Sequence, residues 1–301
     1  MNRLINELLA VMGEEKVKLD EPMSAHTTFR IGGPADVFVE PDSEERLCQV
    51  VALCREAGVP FVCVGNGSNL LVSDDGFRGV VVSTRRGMEQ LEINGDLVKA
   101  GAGVLLSRLA SECCRAGLGG LEFAGGIPGT VGGAVVMNAG AYGGEMKQVL
   151  TRVHVLMPDG DLVWIPVEDM GLGYRTSCIP SCGGIVTAAE FRLYPRDSAL
   201  IKAEMDELGR RRREKQPIEL PSAGSTFKRP VGYFAGKLIQ DAGLAGFSVG
   251  GAQVSTKHCG FVVNRGGATA ADVLSLCRQV KDEVYHQFGV SLEMEVKTLG
   301  M

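Results

Sequence analysis

Apolar residues recur at helical spacing through the opening MNRLINELLAVMGEEKVK, with Glu7, Glu14 and Glu15 set among them. That period predicts an amphipathic helix; the acidic residues exclude a secretory leader. From about 20 to 83, short apolar runs alternate with loops. SEERLCQVVALCREAG (43–58) carries the helical period, opened by Asp42 or Ser43 as cap and closed by Gly58. PFVCVG (60–65) and GVVVS (79–83) are short continuous apolar runs, the pattern of buried strands. The rhythm is β-α-β-β, a small α/β unit.

From about 84 to 195 the pattern changes. LEINGDLVKAGAG predicts a hairpin turned at Asn94-Gly95, and VLLSRLASECCRAG (104–117) an amphipathic helix. VLTRVHVLMPDGDLVWIPVED predicts a second hairpin, turned at Pro158-Asp159-Gly160, and GGIVTAAEFRLYP (183–195) one long strand. Residues 197–217 form a helix that stops near Pro217. A third α/β unit follows, with helices over 234–243 and 268–289 and a closing strand in VSLEMEVKTLG. The expected division is 1–83, 84–196 and 197–301.

Composition narrows the field. With 301 residues, 45% hydrophobic and 22% charged, the chain can bury more than one core. No apolar run reaches the roughly 18 residues that span a bilayer, so no membrane insertion is expected. A net charge of −5 argues against nucleic acid as partner. The nine cysteines are odd in number, and neither Cys113–Cys114 nor Cys178–Cys182 has C-x-x-C spacing. They read as small apolar residues of a cytoplasmic protein. The four histidines make no metal-ligand pattern, so no metal is expected. One basic run, Arg210 to Lys215, fits either a solvated helix end or an anchor for a diphosphate.

The segment from Gly117 to Gly144, GLGGLEFAGGIPGTVGGAVVMNAGAYGG, holds eleven glycines in twenty-eight residues. Glycine lets a ligand approach the main chain, and successive N–H groups can converge on an anion. A tight buried crossing between strands explains the same composition. GNGSNL ends in Leu70 where a dinucleotide fingerprint needs glycine, and GYFAGKL lacks the spacing and hydroxyl of a P-loop. GNGSNLL (65–71) follows a predicted strand and adds the amides of Asn66 and Asn69 and the hydroxyl of Ser68. Two neutral, donor-rich loops suit a dinucleotide diphosphate.

Six segments occur in order: HTTFRIGGPAD (26–36), GNGSNLL (65–71), GIPGTVGGAVVMNAGAYG (126–143), YRTS (174–177), GSTFKRP (224–230) and LEMEVKTLG (292–300). Together they resemble the UDP-N-acetylenolpyruvylglucosamine reductase (MurB) family, flavoenzymes of peptidoglycan precursor synthesis, from about residue 20 to the C-terminus. The resemblance implies an α+β fold: a two-part FAD-binding domain of the PCMH or vanillyl-alcohol-oxidase type, then a C-terminal α/β substrate-binding domain. It implies non-covalent FAD, with no attachment at His26, and NADPH as co-substrate. It implies flavin contacts from Asn66, Gly67, Ser68, Asn69, Gly126, Ile127, Gly129, Thr130, Gly133 and Asn138. Tyr142 either stacks near the flavin or nicotinamide, or packs.

The implied reaction moves a hydride from NADPH to FAD and then to the enolpyruvyl ether of UDP-N-acetylglucosamine. Negative charge develops on the conjugated carboxylate as an enolate, which must be stabilised and protonated. By resemblance Arg175 steadies that carboxylate, Ser225 donates the proton, and Glu295 is the catalytic glutamate. Glu293 lies two residues away, on the same strand face. A carboxylate beside an enolate requires that Glu295 be protonated or bonded to Arg175. Lys228 and Arg229 follow Ser225 closely and could hold the substrate's diphosphate or carboxylate. Lys297 stands where the family usually has arginine, which keeps the charge and loses the bidentate fork. YRTSCIPSCGGIVTAAEF runs almost directly into the next strand, so the chain resembles the shorter, type II form without a clamping tyrosine. No obligate protein partner is implied. The rival readings are another flavoenzyme of this fold, such as a sugar or alcohol oxidase, and a non-catalytic nucleotide or sugar sensor.

Overall fold

The N-terminal helix forms at Asn2–Met12 and turns Leu4, Leu8 and Met12 inward. Each such side chain removed from water contributes about 1.5–3 kcal/mol. The computed structural model describes all residues, 1–301. Its chain groups into two compact units: Met1–Leu19, Val37–Asn66 and Gly79–Arg211 in the first; Asp20–Asp36, Gly67–Arg78 and Arg212–Met301 in the second.

The first unit has two cores. One lies between the N-terminal helix, the helix Glu44–Glu56 and strand residues Val37, Val39, Val80 and Val82. Ser43 is the cap, its hydroxyl accepting from the N–H of Arg46 at 3.2 Å. The four-stranded sheet here runs Val17–Pro22, Pro34–Val39, Phe77–Ser83, Phe61–Val64 in spatial order. Phe61–Val64 and Phe77–Ser83 pair in parallel, which explains runs apolar on both faces.

The other core fills the space under a five-stranded antiparallel sheet, ordered Leu162–Pro166, Leu150–Leu156, Ile185–Arg192, Leu97–Gly101, Leu91–Asn94. Val98, Val153, Val155 and Phe191 face Leu106, Leu109 and Cys113 of the helix Leu106–Arg115. The first hairpin turns at Gly95-Asp96 and not at Asn94-Gly95, because Asn94 still pairs with Leu97. The single strand predicted over 183–195 is broken: Gly183 ends a short helix, Ile179–Cys182, and Tyr194–Pro195 pairs separately with Leu118–Gly119.

The second unit packs a four-stranded antiparallel sheet, ordered Ser222–Ser225, Phe261–Asn264, Ala252–Val254, Ser248–Val249, and the helices Ala235–Asp241 and Ala270–Phe288 around one core. Thr269 and Asp272 form a capping box on the longer helix. Asp74 adds both carboxylate oxygens to the N–H groups of Ala270 and Ala271, at 2.8 and 3.0 Å. The final strand Lys297–Leu299 pairs in parallel with Leu70–Val72.

The nine cysteines are free thiols. Burial pushes Cys54 up to about 11 and Cys63, Cys113 and Cys277 up to about 12. No group of three or more His, Cys, Asp or Glu could hold a metal ion.

Candidate active site

The predicted residues divide between the two units. The first carries Asn66, the glycine segment and Arg175; the second carries Gly67, Ser68, Asn69, Ser225, Lys228, Arg229 and Glu295.

In the first unit the glycine segment runs beside residues 102–106 on main-chain hydrogen bonds. Leu106 donates to Gly129 O at 3.0 Å, Val131 to Val104 O at 2.9 Å, and Gly132 to Ala102 O at 2.9 Å. Between these bonds Thr130 is 1% exposed, and its hydroxyl has no hydrogen-bond partner. A short helix, Val131–Val136, follows where an irregular crossing was expected. Gly65 approaches Thr130 so closely that an added Cβ would collide with the hydroxyl. A buried hydroxyl left unmatched costs about 1–3 kcal/mol. Beside a glycine held to no side chain, it is a ready partner for a polar ligand. Gly133 is open, with only the Thr130 hydroxyl, at 3.8 Å, near its Cβ direction. Glycines backed by a spare hydroxyl fit the diphosphate and ribityl parts of a dinucleotide.

Two of the three asparagines expected at the cofactor, Asn66 and Asn138, spend their amides internally. Asn66 donates to Pro128 O at 2.7 Å and accepts from Arg85 Nε at 3.2 Å, tying its loop to the glycine segment. Arg85 in turn pairs with Glu89 at 3.1 Å. Sequence reasoning missed Arg85; the only signal is the basic STRR run ending a buried strand. Asn138 is 2% exposed with φ 40°, a left-handed conformation asparagine tolerates. Its Nδ2 donates to Glu145 Oε2 at 3.1 Å and Gly173 O at 3.0 Å, and its Oδ1 accepts from Lys147 N at 2.9 Å. Asn138 therefore links the end of the glycine segment to the turn that bears Arg175. Ile127 lends its N–H to Ala124 O at 2.9 Å.

Arg175 sits at φ 56° in that turn, where Gly173 and Thr176 bridge each other. Holding a non-glycine residue there costs about 1–2 kcal/mol. Its Nη2 donates to Gly140 O at 3.3 Å, and its guanidinium lies 5.4 Å from the Tyr174 ring centroid. Tyr142, also at positive φ, is 44% exposed. Arg210 and Arg211 both turn to Glu207 on their own helix, at 2.8 and 2.7 Å, as a solvated helix end does.

In the second unit Gly67 has φ 60°, and a Cβ there would run into the carbonyl of His26. Only glycine fits. HTTFRIGG folds into this unit, Thr28 Oγ1 donating to Ser222 O at 2.7 Å at the head of the serine strand. Ser225 ends that strand, opposite Phe261, and is half-buried. The chain then runs against the C-terminal segment: Glu295 N–H donates to Thr226 O at 2.9 Å, Lys228 N–H to Glu293 O at 2.8 Å, and Phe227 bridges Met294. This alternation separates the two glutamates expected on one face by their depth. Glu295 is 8% exposed, whereas the Glu293 side chain is 72% exposed and paired with Lys228. That ammonium holds the Glu293 carboxyl below its usual range. Arg229 is exposed and stacks on Phe234, 3.9 Å from the ring centroid.

His258 lies in the loop whose Gly260 carbonyl receives the Thr226 N–H at 2.8 Å. Its Nδ1 accepts from Gly260 N–H at 3.1 Å, and burial lowers its pKa. The ring is thus neutral at pH 7, with its proton on Nε2.

Comparison with known proteins fits both halves. An FAD-binding domain matches residues 35–166, and the C-terminal domain of UDP-N-acetylenolpyruvoylglucosamine reductase matches 216–299. The reductase of Agathobacter rectalis is 54% identical, with 93% of each chain covered. That of Clostridioides difficile is 50% identical over 97% of this chain and 96% of its own. The crystal structure of the Thermus caldophilus reductase superposes with a TM-score of 0.81 at 40% identity, covering 94% of this chain and 98% of that one. A 4-ethylphenol oxidase from Gulosibacter chungangensis shares 19% identity and a TM-score of 0.50 over 64% of this chain and 42% of its own, a likeness of fold alone. The chain belongs to the UDP-N-acetylenolpyruvoylglucosamine reductase family, and is an FAD-containing oxidoreductase built from an FAD-binding domain and that family's C-terminal domain.

Proposed function

We propose that this chain reduces the enolpyruvyl ether of UDP-N-acetylglucosamine to the lactyl ether at the expense of NADPH, with Ser225, Arg175 and Glu295 serving the second half of the reaction. Bound FAD supplies the hydride relay between NADPH and the terminal carbon of the enol ether. The residues of the chain do the rest. The Arg175 guanidinium neutralises the carboxylate onto which negative charge spreads. Ser225 gives its hydroxyl proton to the carbon bearing that carboxylate, and solvent restores the serine proton. A weak acid suffices because the acceptor is a strongly basic carbon. Glu295, protonated or bonded to Arg175, completes the polar environment. Lys228 and Arg229 hold the diphosphate. Gly67, Ser68, Asn69, Gly126, Ile127, Gly129, Thr130 and Gly133 line the flavin, while Asn66 and Asn138 shape its loops. The segments 1–83 and 84–196 serve FAD, and 197–301 serves the substrate.

The observation that carries this reading is the main-chain ladder joining Thr226 to Glu295 at 2.9 Å, which fixes the segments of two chemically matched residues together. The cytoplasm is the compartment proposed for the reaction; no helix is long and apolar enough to cross a membrane.

The test is anaerobic. Flavin bleached by NADPH regains its visible absorbance on adding the enol ether. In Ser225→Ala bleaching stays near wild type, and recovery slows by about 10²–10⁴-fold. Equal slowing of both phases removes the proton-donor role. Recovery with oxygen but never with the enol ether favours an oxidase of the same fold.

A further inference from the structure

We infer that Asn69 is a positioning residue for Glu295, so that the loop expected to touch the flavin also sets the aim of the buried acid. The inference rests on the proposed role of Glu295. Asn69 engages the C-terminal segment at two points. Its side-chain Nδ2 donates to Glu295 O at 3.3 Å, and its main-chain O accepts from Lys297 N–H at 2.9 Å. Val296, between those points, is 5% exposed. The parallel ladder Leu70–Lys297, Leu71–Thr298, Val72–Leu299 begins immediately afterwards. The Asn69 amide therefore takes the place of a main-chain donor one step before the ladder starts.

The consequence lies in how Glu295 is held. Its N–H is fixed from one side by Thr226 O at 2.9 Å, and its C=O from the other by Asn69. With both peptide groups anchored, the Cα–Cβ direction of Glu295 is set. Thr226 is itself anchored: its N–H donates to Gly260 O at 2.8 Å, and its Oγ1 accepts from Val262 N–H at 2.9 Å. The contact from Asn69 is made by a side chain, so a point substitution removes it without touching the ladder.

Misplacement of a reacting group by about 1 Å can cost about 10²-fold in rate. Asn69→Ala is expected to slow flavin recovery by the enol ether by about tenfold to 10²-fold more than it slows bleaching by NADPH. Asn69→Asp has the same size, loses the amide hydrogens and should share that imbalance. Its deficit should shrink as pH falls toward the carboxylate range, where a protonated carboxyl again offers a hydrogen. In Glu295→Gln the added Asn69→Ala should slow recovery no more than it slows bleaching, because the group it aims is already disabled. Titration of FAD into apoprotein supplies a readout apart from turnover.

Equal slowing of both phases, with FAD affinity down at least tenfold, would show a flavin ligand alone and overturn the link. Losses that multiply in the double variant would overturn it as well, while leaving Glu295 catalytic. Wild-type recovery in Glu295→Gln would overturn the role of Glu295, and the inference with it.

Discussion

The glycine segment of the first unit and the serine–glutamate ladder of the second solve opposite problems. In the first, side chains are removed or turned away: Gly65 leaves room for Thr130, and the amides of Asn66 and Asn138 serve the protein itself. What remains unmatched there is one buried hydroxyl, that of Thr130. In the second, the main chain is consumed by pairing, and side chains carry the chemistry. A surface of main chain is broken by adding atoms. A scaffolded side chain is broken by changing its functional group, with little harm to the fold.

That contrast can be pressed by substitution. The largest effect is expected from Glu295→Gln, with flavin recovery slowed about 10²–10⁴-fold and thermal stability close to wild type. A matching collapse in Tm would blur the contrast, because the acid would then be structural. Asn138→Ala should do the reverse. It leaves Lys147 N–H without its acceptor beside a residue only 2% exposed, and takes one donor each from Gly173 O and Glu145, which keep the N–H groups of Thr176 and Gln148. A loss of about 1–3 kcal/mol is expected from the orphaned N–H, read as a lower urea midpoint. Gly65→Ala should weaken FAD binding by roughly tenfold while the urea midpoint holds, as the Thr130 hydroxyl is displaced. Unchanged affinity would detach Thr130 from the cofactor.

The smallest effect concerns His258. Its folded pKa is lowered by burial, so the unfolded chain takes up the proton first as pH falls. The stability linked to this ring is complete above its ordinary value of about 6.5 and is lost as pH drops below it. Protonation also turns Nδ1 from acceptor to donor against Gly260 N–H. Urea midpoints from pH 8 to 5 should fall less steeply in His258→Gln than in wild type. Identical slopes would remove His258 from the account.

Helices were legible wherever period and cap agree, as at Ser43 and over Ala270–Phe288. So were the fold class and the order of the motifs. Three things were not. Composition does not say which amides of a glycine-rich segment are consumed by pairing, so the ladder along residues 102–106 stayed hidden. Nor does strand alternation rank Glu293 against Glu295, because depth is decided by Lys228 and Phe227 on a distant segment. Nor does the sequence pair Asn69 with Glu295, 226 residues away.

The parallel pairing of Leu70–Val72 with Lys297–Leu299 also has a meaning in time. A ribosome adding about 5–20 residues per second needs roughly 10–45 s to travel from one strand to the other. Through that interval the Asn69 loop is outside the tunnel without the strand that completes it. Truncation before Lys297 would leave that edge bare for good, so the second unit first closes when this strand arrives.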